Sequence, residues 1–228
     1  MKYPYEIIAN GAFTLPTTKP LDIWAARCAN SFVGNAQSCS TIEVCVLGPT
    51  IKILGEYVIA ICGADLSPQL NGTDILNNNA HAVKRGDILS FGETRSGMRA
   101  YIALGDGFSD GNAYALPTSN VLPVSAAPEF ELLDVHLRAA LFSYKFTISK
   151  LANRMGAQLE QRLDNNFSPI ITSPVLPGTV QLTPDGRLII LLADCQLTGG
   201  YPRLLQLRRE ALNIMAQLTP GAALQFRR

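Results

Sequence analysis

A carboxylate, a hydroxyl, two glycines and a phenol stand close together near the C-terminal end of the sequence. They are Asp194, Thr198, Gly199–Gly200 and Tyr201, and they follow an apolar run at 188–193. This run is short and rich in branched apolar residues, which is typical of a strand covered on both faces. Where such a strand ends in a glycine corner, bare backbone amides and polar side chains reach the surface together. The sequence therefore predicts a polar binding site there.

The residue types of this segment suit different tasks in a site for a polar ligand. Asp194 could orient a substrate or accept a proton, and Tyr201 could donate to a bound carbonyl, so we predict catalytic roles for both. Cationic and amide side chains bind carboxylates and amides by directed hydrogen bonds. The residues that we predict to bind substrate are Arg154, Gln181, Thr198, Gly199 and Gly200.

Four of these residues also have a structural interpretation. Asp194 could cap the turn that follows it, and Tyr201 could be an aromatic plug beside a proline. Arg154 could pair with Glu160 or lie at a helix end, and Gln181 could be a surface strand residue. These alternatives remain open at the level of the sequence.

The sequence gives little support for a metal site or for a nucleophilic triad. The two histidines, His81 and His136, are far apart and have no cysteine or carboxylate at metal-ligand spacing, so we expect no metal site. Neither histidine belongs to a known nucleophile motif, and no GxSxG elbow occurs. The pair Glu43 and Arg99 lies among strand-like segments and is expected to be structural.

Composition narrows the range of partners. Of 228 residues, 47% are hydrophobic and 16% charged, and the formal net charge is +1. Without a basic run, nucleic acid would gain little electrostatic attraction. A scattered basic group is interpreted as a solvated helix face and tail: Arg203, Arg208, Arg209, Arg227 and Arg228. No apolar stretch reaches the roughly 18 residues of a membrane span.

The N-terminal residues and the cysteines indicate a cytoplasmic protein. The segment Met1–Glu6 lacks the long apolar core of a signal peptide. The five cysteines are odd in number and form no CxxC pair, which favours reduced thiols.

The elements that would position the site are mostly strands. Short β-branched or aromatic segments, separated by Gly, Pro or Asn, suggest a compact barrel or sandwich. One apolar stripe predicts a helix over 21–33, with Gly34 as its C-terminal stop. A second stripe predicts a C-terminal helix over 204–217. The region 108–128 is rich in Gly, Asn, Ser and Pro, so we predict a first domain at 1–107, a linker, and a second domain at 129–228.

Several motifs occur in an order that identifies a known family. They are Arg27–Asn30 with Val33–Asn35, Ile42–Glu43 with Gly48–Thr50, Cys62–Leu66, Gly86–Leu89, Gly97–Ala103, Asn153–Gly156 and Gln181–Pro202. With these segments the chain resembles allophanate hydrolase subunit 2, the family that includes the C subunit of 5-oxoprolinase and biotin-dependent carboxyltransferase-like domains. The phrase from Thr198 to Pro202 is the most specific of them.

The resemblance implies a mainly β fold of two cyclophilin-like β-barrel subdomains, each with a helix. It also implies a subunit of an ATP-dependent 5-oxoprolinase or related carboxyltransferase-type complex. Its substrate would be 5-oxoproline or a similar amide, in a cleft shared with a subunit 1 family protein. A LamB/YcsF-type subunit would be a further partner. No cofactor is expected on this chain alone, and ATP would bind at the level of the complex.

The sequence also departs from the family pattern. The glycine- and arginine-containing loop near the start is replaced by 10–20, and the family's tyrosine and arginine after Gly156 are replaced by Ala157 and Gln158. The chain therefore looks like a shortened, diverged member. A non-catalytic binding or regulatory protein, with a subunit 1-like or kinase-inhibitor-like partner, is the alternative.

Overall fold

A computed structural model describes residues 4–228 of the chain. Met1–Tyr3, which begin the segment in which we predict no signal peptide, lie outside the described residues. The chain divides into two compact units, the first ending at Leu116 and the second beginning at Pro117. With 40% strand and 14% helix, the prediction of a mainly β chain with two subdomains is confirmed.

The described part of the first unit has one helix, α1 (Ile23–Phe32), and ten strands. The strands are β1 (Tyr5–Ala9), β2 (Phe13–Thr17), β3 (Thr41–Cys45), β4 (Thr50–Ile53), β5 (Tyr57–Asp65), β6 (Pro68–Leu70), β7 (Thr73–Asp74), β8 (Ala80–Val83), β9 (Ile88–Phe91) and β10 (Ser96–Gly105). They form two five-stranded sheets, in the orders β1-β4-β9-β6-β7 and β2-β3-β10-β5-β8.

Alternation along the strands divides the core of the first unit into two layers. On β5, Ile59 and Ile61 face the other sheet and pack with apolar residues of β4 and β9. Their neighbours Ala60 and Cys62 point the opposite way and are covered by α1. Because successive strand side chains point to opposite faces, β5 is buried almost throughout.

Helix α1 has well-defined ends. The side chain of Asp22 accepts a hydrogen bond of 3.0 Å from the amide of Ala25, which caps the first turn. Gly34, predicted as the stop, has a φ of +70°, a conformation that favours glycine after a helix. The helix predicted over 21–33 is therefore found at Ile23–Phe32.

The second unit contains two α-helices, α2 (Val135–Ser143) and α3 (Arg209–Gln217), and a short 3₁₀ helix (Phe130–Leu132). Its strands are β11 (Val121–Ala126), β12 (Phe146–Thr147), β13 (Gly156–Arg162), β14 (Ser173–Pro174), β15 (Thr179–Leu182), β16 (Arg187–Leu191), β17 (Thr198–Gly199), β18 (Arg203–Leu207) and β19 (Ala223–Arg227). Seven of them form one sheet in the order β12-β19-β11-β18-β15-β16-β13, and β14 pairs with β17.

Two predicted boundaries are corrected. The helix predicted over 204–217 begins only at Arg209, because residues 203–207 form β18 and pair with β11 and β15. Consecutive apolar residues there fit a strand buried between neighbours better than one helical stripe. The predicted linker at 108–128 also contains β11, which lies inside the seven-stranded sheet.

Candidate functional site

The strands that carry the predicted site lie side by side in the second unit. β15 is buried along its whole length between β16 and β18. A turn at Pro184–Gly186 connects β15 to β16, and Gly186 has a φ of +87°. A Cβ at Gly186 would lie 2.6 Å from the carbonyl oxygen of Leu163, so glycine is required there. This tight connection sets the register that brings Asp194 to the far end of β16.

Two predicted site residues, Arg154 and Asp194, form a paired contact. Nε of Arg154 donates to Oδ2 of Asp194 at 2.7 Å, and Nη2 donates to Oδ1 at 3.1 Å. The amide of Asp194 also donates to the carbonyl of Arg154 at 3.0 Å. The arginine is 9% exposed, whereas the side chain of the aspartate is 43% exposed. A two-point contact of this kind fixes both side chains in one orientation.

The position of this pair follows from the sheet. Gly156 on β13 lies opposite Leu191 on β16, and the amide of Leu192 donates to the carbonyl of Met155. The segments that flank β13 and β16 therefore continue side by side beyond the two strands, and Arg154 contacts Asp194 across them. Arg154 therefore pairs with Asp194, a contact that none of the sequence alternatives for these two residues included.

A second contact joins three other predicted residues. Gln181 is 1% exposed, and its Nε2 donates to the backbone carbonyl of Tyr201 at 3.1 Å. A Cβ at Gly199 would lie 2.6 Å from the same Nε2. The side-chain amide of Gln181 thus packs on the backbone of Gly199, and a larger residue there would have to displace it. The close approach at Gly199 is therefore made by a side chain of the protein itself.

The remaining predicted residues lie at the surface beside this contact. Thr198 is exposed and forms β17 with Gly199, opposite Ser173–Pro174 of β14. Gly200 accepts a hydrogen bond from the amide of Ile170, and a Cβ there would meet only ordinary contacts, the nearest at 3.5 Å. Tyr201 is 38% exposed. The exposed phenol, hydroxyl and carboxylate offer donors and acceptors to a polar ligand.

An ion pair that the sequence did not indicate supports this surface. Nε and Nη2 of Arg203 donate to the two carboxylate oxygens of Glu129 at 2.8 and 2.7 Å. Nη1 of Arg203 donates to the carbonyl of Pro174 on β14. Hydrogen bonds from Arg203 hold the pKa of Glu129 below its usual range. Arg203 is thus not part of a solvated helix face. The pair could not be predicted from the sequence, because Arg203 and Glu129 are 74 residues apart.

The first unit holds a separate buried polar network. Nε of Arg99 lies 3.7 Å from Oε1 of Glu43, and the hydroxyl of Tyr101 donates to Oε2 of Glu43 at 2.9 Å. The amide of Asp22 donates to the same hydroxyl. Burial and the neighbouring carboxylates raise the pKa of Tyr101 well above its usual value. Glu43 and Arg99 therefore pair with each other, and the network joins the start of α1 to the sheet.

Residues 4–228 contain neither a membrane-spanning helix nor a cluster of metal-binding side chains. No helix in this range is long and apolar enough to cross a membrane. No group of three or more histidine, cysteine, aspartate or glutamate side chains in the same range is arranged to hold a metal ion.

Comparison with known proteins gives matches along most of the chain. The model of a family described as carboxyltransferase domain, subdomain A and B, matches residues 13–119 and 109–228. The C subunit of 5-oxoprolinase from Escherichia coli (strain K12) is 23% identical over 249 residues, covering 90% of this chain and 80% of that protein. These matches confirm the resemblance that the sequence motifs indicate.

Two further matches differ in extent. The urea amidolyase of Saccharomyces cerevisiae is 40% identical over 93 residues, which cover 41% of this chain and 5% of that protein. The crystal structure of TTHA0988 has a TM-score of 0.86 at 24% identity and covers 98% of this chain. This chain spans 55% of the TTHA0988 chain, and the likeness between the two concerns the fold.

Proposed function

Because the chain belongs to the family of carboxyltransferase domains with subdomains A and B, we propose that it is one subunit of an ATP-dependent 5-oxoprolinase-type complex. Such a complex would open 5-oxoproline, a cyclic amide, to glutamate. The observation that carries the proposal is the similarity to the C subunit of 5-oxoprolinase along 90% of this chain. The exposed side chains of Asp194, Thr198 and Tyr201 support it, because each offers donors or acceptors to a small polar substrate.

Residues of the second unit would bind the substrate and transfer a proton. Asp194 would orient the substrate or accept a proton, and Tyr201 would donate to the amide carbonyl. Arg154 would bind the substrate carboxylate, since a guanidinium suits directed contacts with carboxylates. Gln181 would act through its bond to the backbone of Tyr201, which makes it a positioning residue.

Other subunits would complete this site. A subunit 1 family protein would form the opposite wall of the cleft, and a LamB/YcsF-type subunit would be the third component. ATP would bind on these partners, and this chain would need no cofactor of its own. Asp194, Thr198 and Tyr201, each exposed on this chain, would face the substrate only in the assembled complex.

Reconstitution tests the proposal. The chain is combined with the two partner subunits, and ATP hydrolysis that depends on 5-oxoproline is measured. We expect activity with the native chain and a loss of at least about tenfold with Asp194→Asn, because removing one proton-transfer group typically costs a factor of about 10² to 10⁴. Glu160 is an exposed carboxylate on β13, and Glu160→Gln is the control that should retain activity. An inactive complex, or an Asp194→Asn complex as active as the native one, would reject the catalytic assignment.

A non-catalytic role is the second candidate, and one observation favours it. The charge of Arg154 is already compensated by Asp194 at 2.7 Å, which weakens its attraction for a ligand carboxylate. In this role the chain would bind a subunit 1-like or kinase-inhibitor-like partner without turnover. Co-purification from native lysate separates the two: recovery with both complex subunits favours the enzyme, and a stable 1:1 complex without activity favours the binding protein.

A further inference from the structure

Two cysteines from distant parts of the first unit meet beneath helix α1. Cys28 lies in the middle of α1 and Cys62 on β5, and their Sγ atoms are 3.0 Å apart. Both belong to the layer of side chains between the helix and the sheet. A disulfide has an S–S distance of about 2.05 Å, so an approach of roughly 1 Å would join them.

The two thiols differ in their access to solvent. Cys28 is 8% exposed and contributes to the wall of a cavity of about 480 Å³. Trp24, Arg27 and Tyr114 line the same cavity. Cys62 is 0% exposed. A small reagent that enters the cavity would therefore meet the sulfur of Cys28 first, and Cys62 would be reached only through it.

The two thiols also differ in acidity. The hydrogen bond between the two thiols lowers the pKa of Cys28 below its usual value, against the opposing effect of burial. The same hydrogen bond and burial raise the pKa of Cys62 far above the usual range. Because the thiolate is the reactive form of cysteine, the accessible sulfur is also the nucleophilic one.

We propose that Cys28 and Cys62 form a reversible disulfide, in which Cys28 reacts with a peroxide and Cys62 resolves the product. The thiolate of Cys28 attacks one peroxide oxygen, the O–O bond breaks, and the second oxygen leaves as water after taking a proton. The sulfenic acid on Cys28 is then attacked by the sulfur of Cys62, which gives up its proton and releases a second water. In sum, two thiols and one hydrogen peroxide give one disulfide and two waters. A small dithiol reverses the reaction by thiol–disulfide exchange.

Oxidation would change the segment that covers this part of α1. The Cys28 thiol donates to the backbone carbonyl of Asn112 at 2.7 Å. Further contacts hold the same segment: the amide of Tyr114 donates to Oδ1 of Asn78, Nδ2 of Asn78 donates to the carbonyl of Tyr114, and the hydroxyl of Tyr114 donates to Asp22. A disulfide has no S–H, so it removes the bond to Asn112 and the longer contact of 3.6 Å from Cys28 to Oδ1 of Asn78, and leaves the contacts of Tyr114. The disulfide would thus tie α1 to β5 and loosen the cover at 112–113.

The test uses the full chain, purified in reduced form. It is exposed to hydrogen peroxide, remaining thiols are alkylated, and linked peptides are identified by mass spectrometry. The sequence has five cysteines, so we expect two of the five free thiols to be lost. One pair of linked peptides should connect Cys28 to Cys62. Dithiothreitol should restore all of them. Five unchanged thiols, or a link that involves Cys39, Cys45 or Cys195, would overturn the proposal without recourse to any variant.

Variants then test the order of the two steps. With Cys62→Ser, oxidation should stop at a sulfenic acid on Cys28, which dimedone captures. With Cys28→Ser, Cys62 should remain unmodified because it is fully buried. Cys39→Ser, an exposed thiol, is the control and should leave the disulfide unchanged. Labelling of Cys62 by dimedone in the Cys28→Ser chain would contradict the assigned roles.

Discussion

At the scale of single residues, the second unit depends on polar groups that are paired inside the protein. The guanidinium of Arg154 is 9% exposed and contacts both oxygens of Asp194. The amide of Gln181 is 1% exposed and is held between Gly199 and the carbonyl of Tyr201. A buried polar group that loses its partner costs far more than the bond itself contributes. Stability measurements can therefore test both contacts without knowledge of a substrate.

Removal of the carboxylate of Asp194 is expected to destabilise the chain. Asp194→Ala removes the carboxylate that contacts the buried guanidinium of Arg154 at two points, and breaking a fully buried pair costs about 3–5 kcal/mol. Because the aspartate side chain is 43% exposed, water screens the pair and we expect a loss of about 2 kcal/mol. Urea denaturation measures the free energy of unfolding. Glu160→Ala is the control, and equal losses in the two variants would show that the pair contributes nothing.

The two adjacent glycines are expected to respond differently to a methyl group. Gly199→Ala places a Cβ 2.6 Å from Nε2 of Gln181, so the amide must move and lose its bond to Tyr201. The expected loss is about 1 kcal/mol in the free energy of unfolding. Gly200→Ala meets no contact closer than 3.5 Å and should change it by less than about 0.5 kcal/mol.

A double-mutant cycle identifies the cause of the Gly199 effect. In a Gln181→Ala background the methyl group meets no amide, and Gly199→Ala should then cost markedly less. The same loss in both backgrounds would mean that Gly199 is required for another reason. Thermal or urea unfolding of the four chains gives the comparison.

At the scale of elements, ion pairs and hydrogen bonds join segments that the sheet alone leaves apart. Arg203 on β18 binds Glu129, which precedes the 3₁₀ helix at Phe130–Leu132, and also the carbonyl of Pro174 on β14. Since β14 pairs with β17, this arginine supports the strand that carries Thr198 and Gly199. The position of the candidate site thus depends on a residue outside it.

The contribution of Glu129 is expected to depend on pH. Its pKa is lowered by the hydrogen bonds from Arg203, so its stabilising effect is complete above its ordinary pKa of 4.5. The effect is lost as pH falls through the lowered value in the folded protein, because protonation then removes the charge. Near neutral pH, Glu129→Gln should lower the free energy of unfolding by roughly 3 kcal/mol.

The difference between the native chain and Glu129→Gln should therefore shrink in acid. Urea denaturation of both chains across the acid range measures it. Glu131→Gln is a matched control, since that carboxylate side chain is 72% exposed in its pair with Arg138. A difference that stays constant as the pH falls would contradict the role of the ionised carboxylate.

At the scale of the whole molecule, the chain divides into two compact units. Tyr114 is tied to the first unit through Asn78 and Asp22, and Asn120 is tied to the second through the backbone of Ala223. The connection between the two therefore lies in the few residues at 115–119. Those residues contribute to no strand or helix.

An insertion at this connection is expected to be tolerated. A short cleavable sequence placed between Thr118 and Ser119, both exposed, should leave the far-ultraviolet circular dichroism unchanged before and after cleavage. The same insertion between Val124 and Ser125 should abolish folding of the second unit, because β11 lies between β19 and β18 in the sheet. Equal tolerance at both positions would contradict this division of the chain.

Local preferences were sufficient to determine much of this protein. The apolar stripe of α1, its stop at Gly34 and the turn at Pro184–Gly186 all follow from residues that are adjacent in sequence. The family is also readable from the order of its motifs. The helix predicted over 204–217 was wrong at its start, because an apolar run can be a buried strand or a helix and only its neighbours decide.

The partners of the polar residues were decided by the tertiary structure. Arg154 meets Asp194 across 40 residues, Gln181 meets Tyr201 across 20, and Cys28 meets Cys62 across 34. Such contacts depend on strand register and on which face each side chain takes, and a shift of one residue would reverse every face. Residue types alone indicated what chemistry these groups could perform. Only the folded sheets determined that Arg154 already has a carboxylate beside it and that Gly199 makes room for an amide of the protein itself.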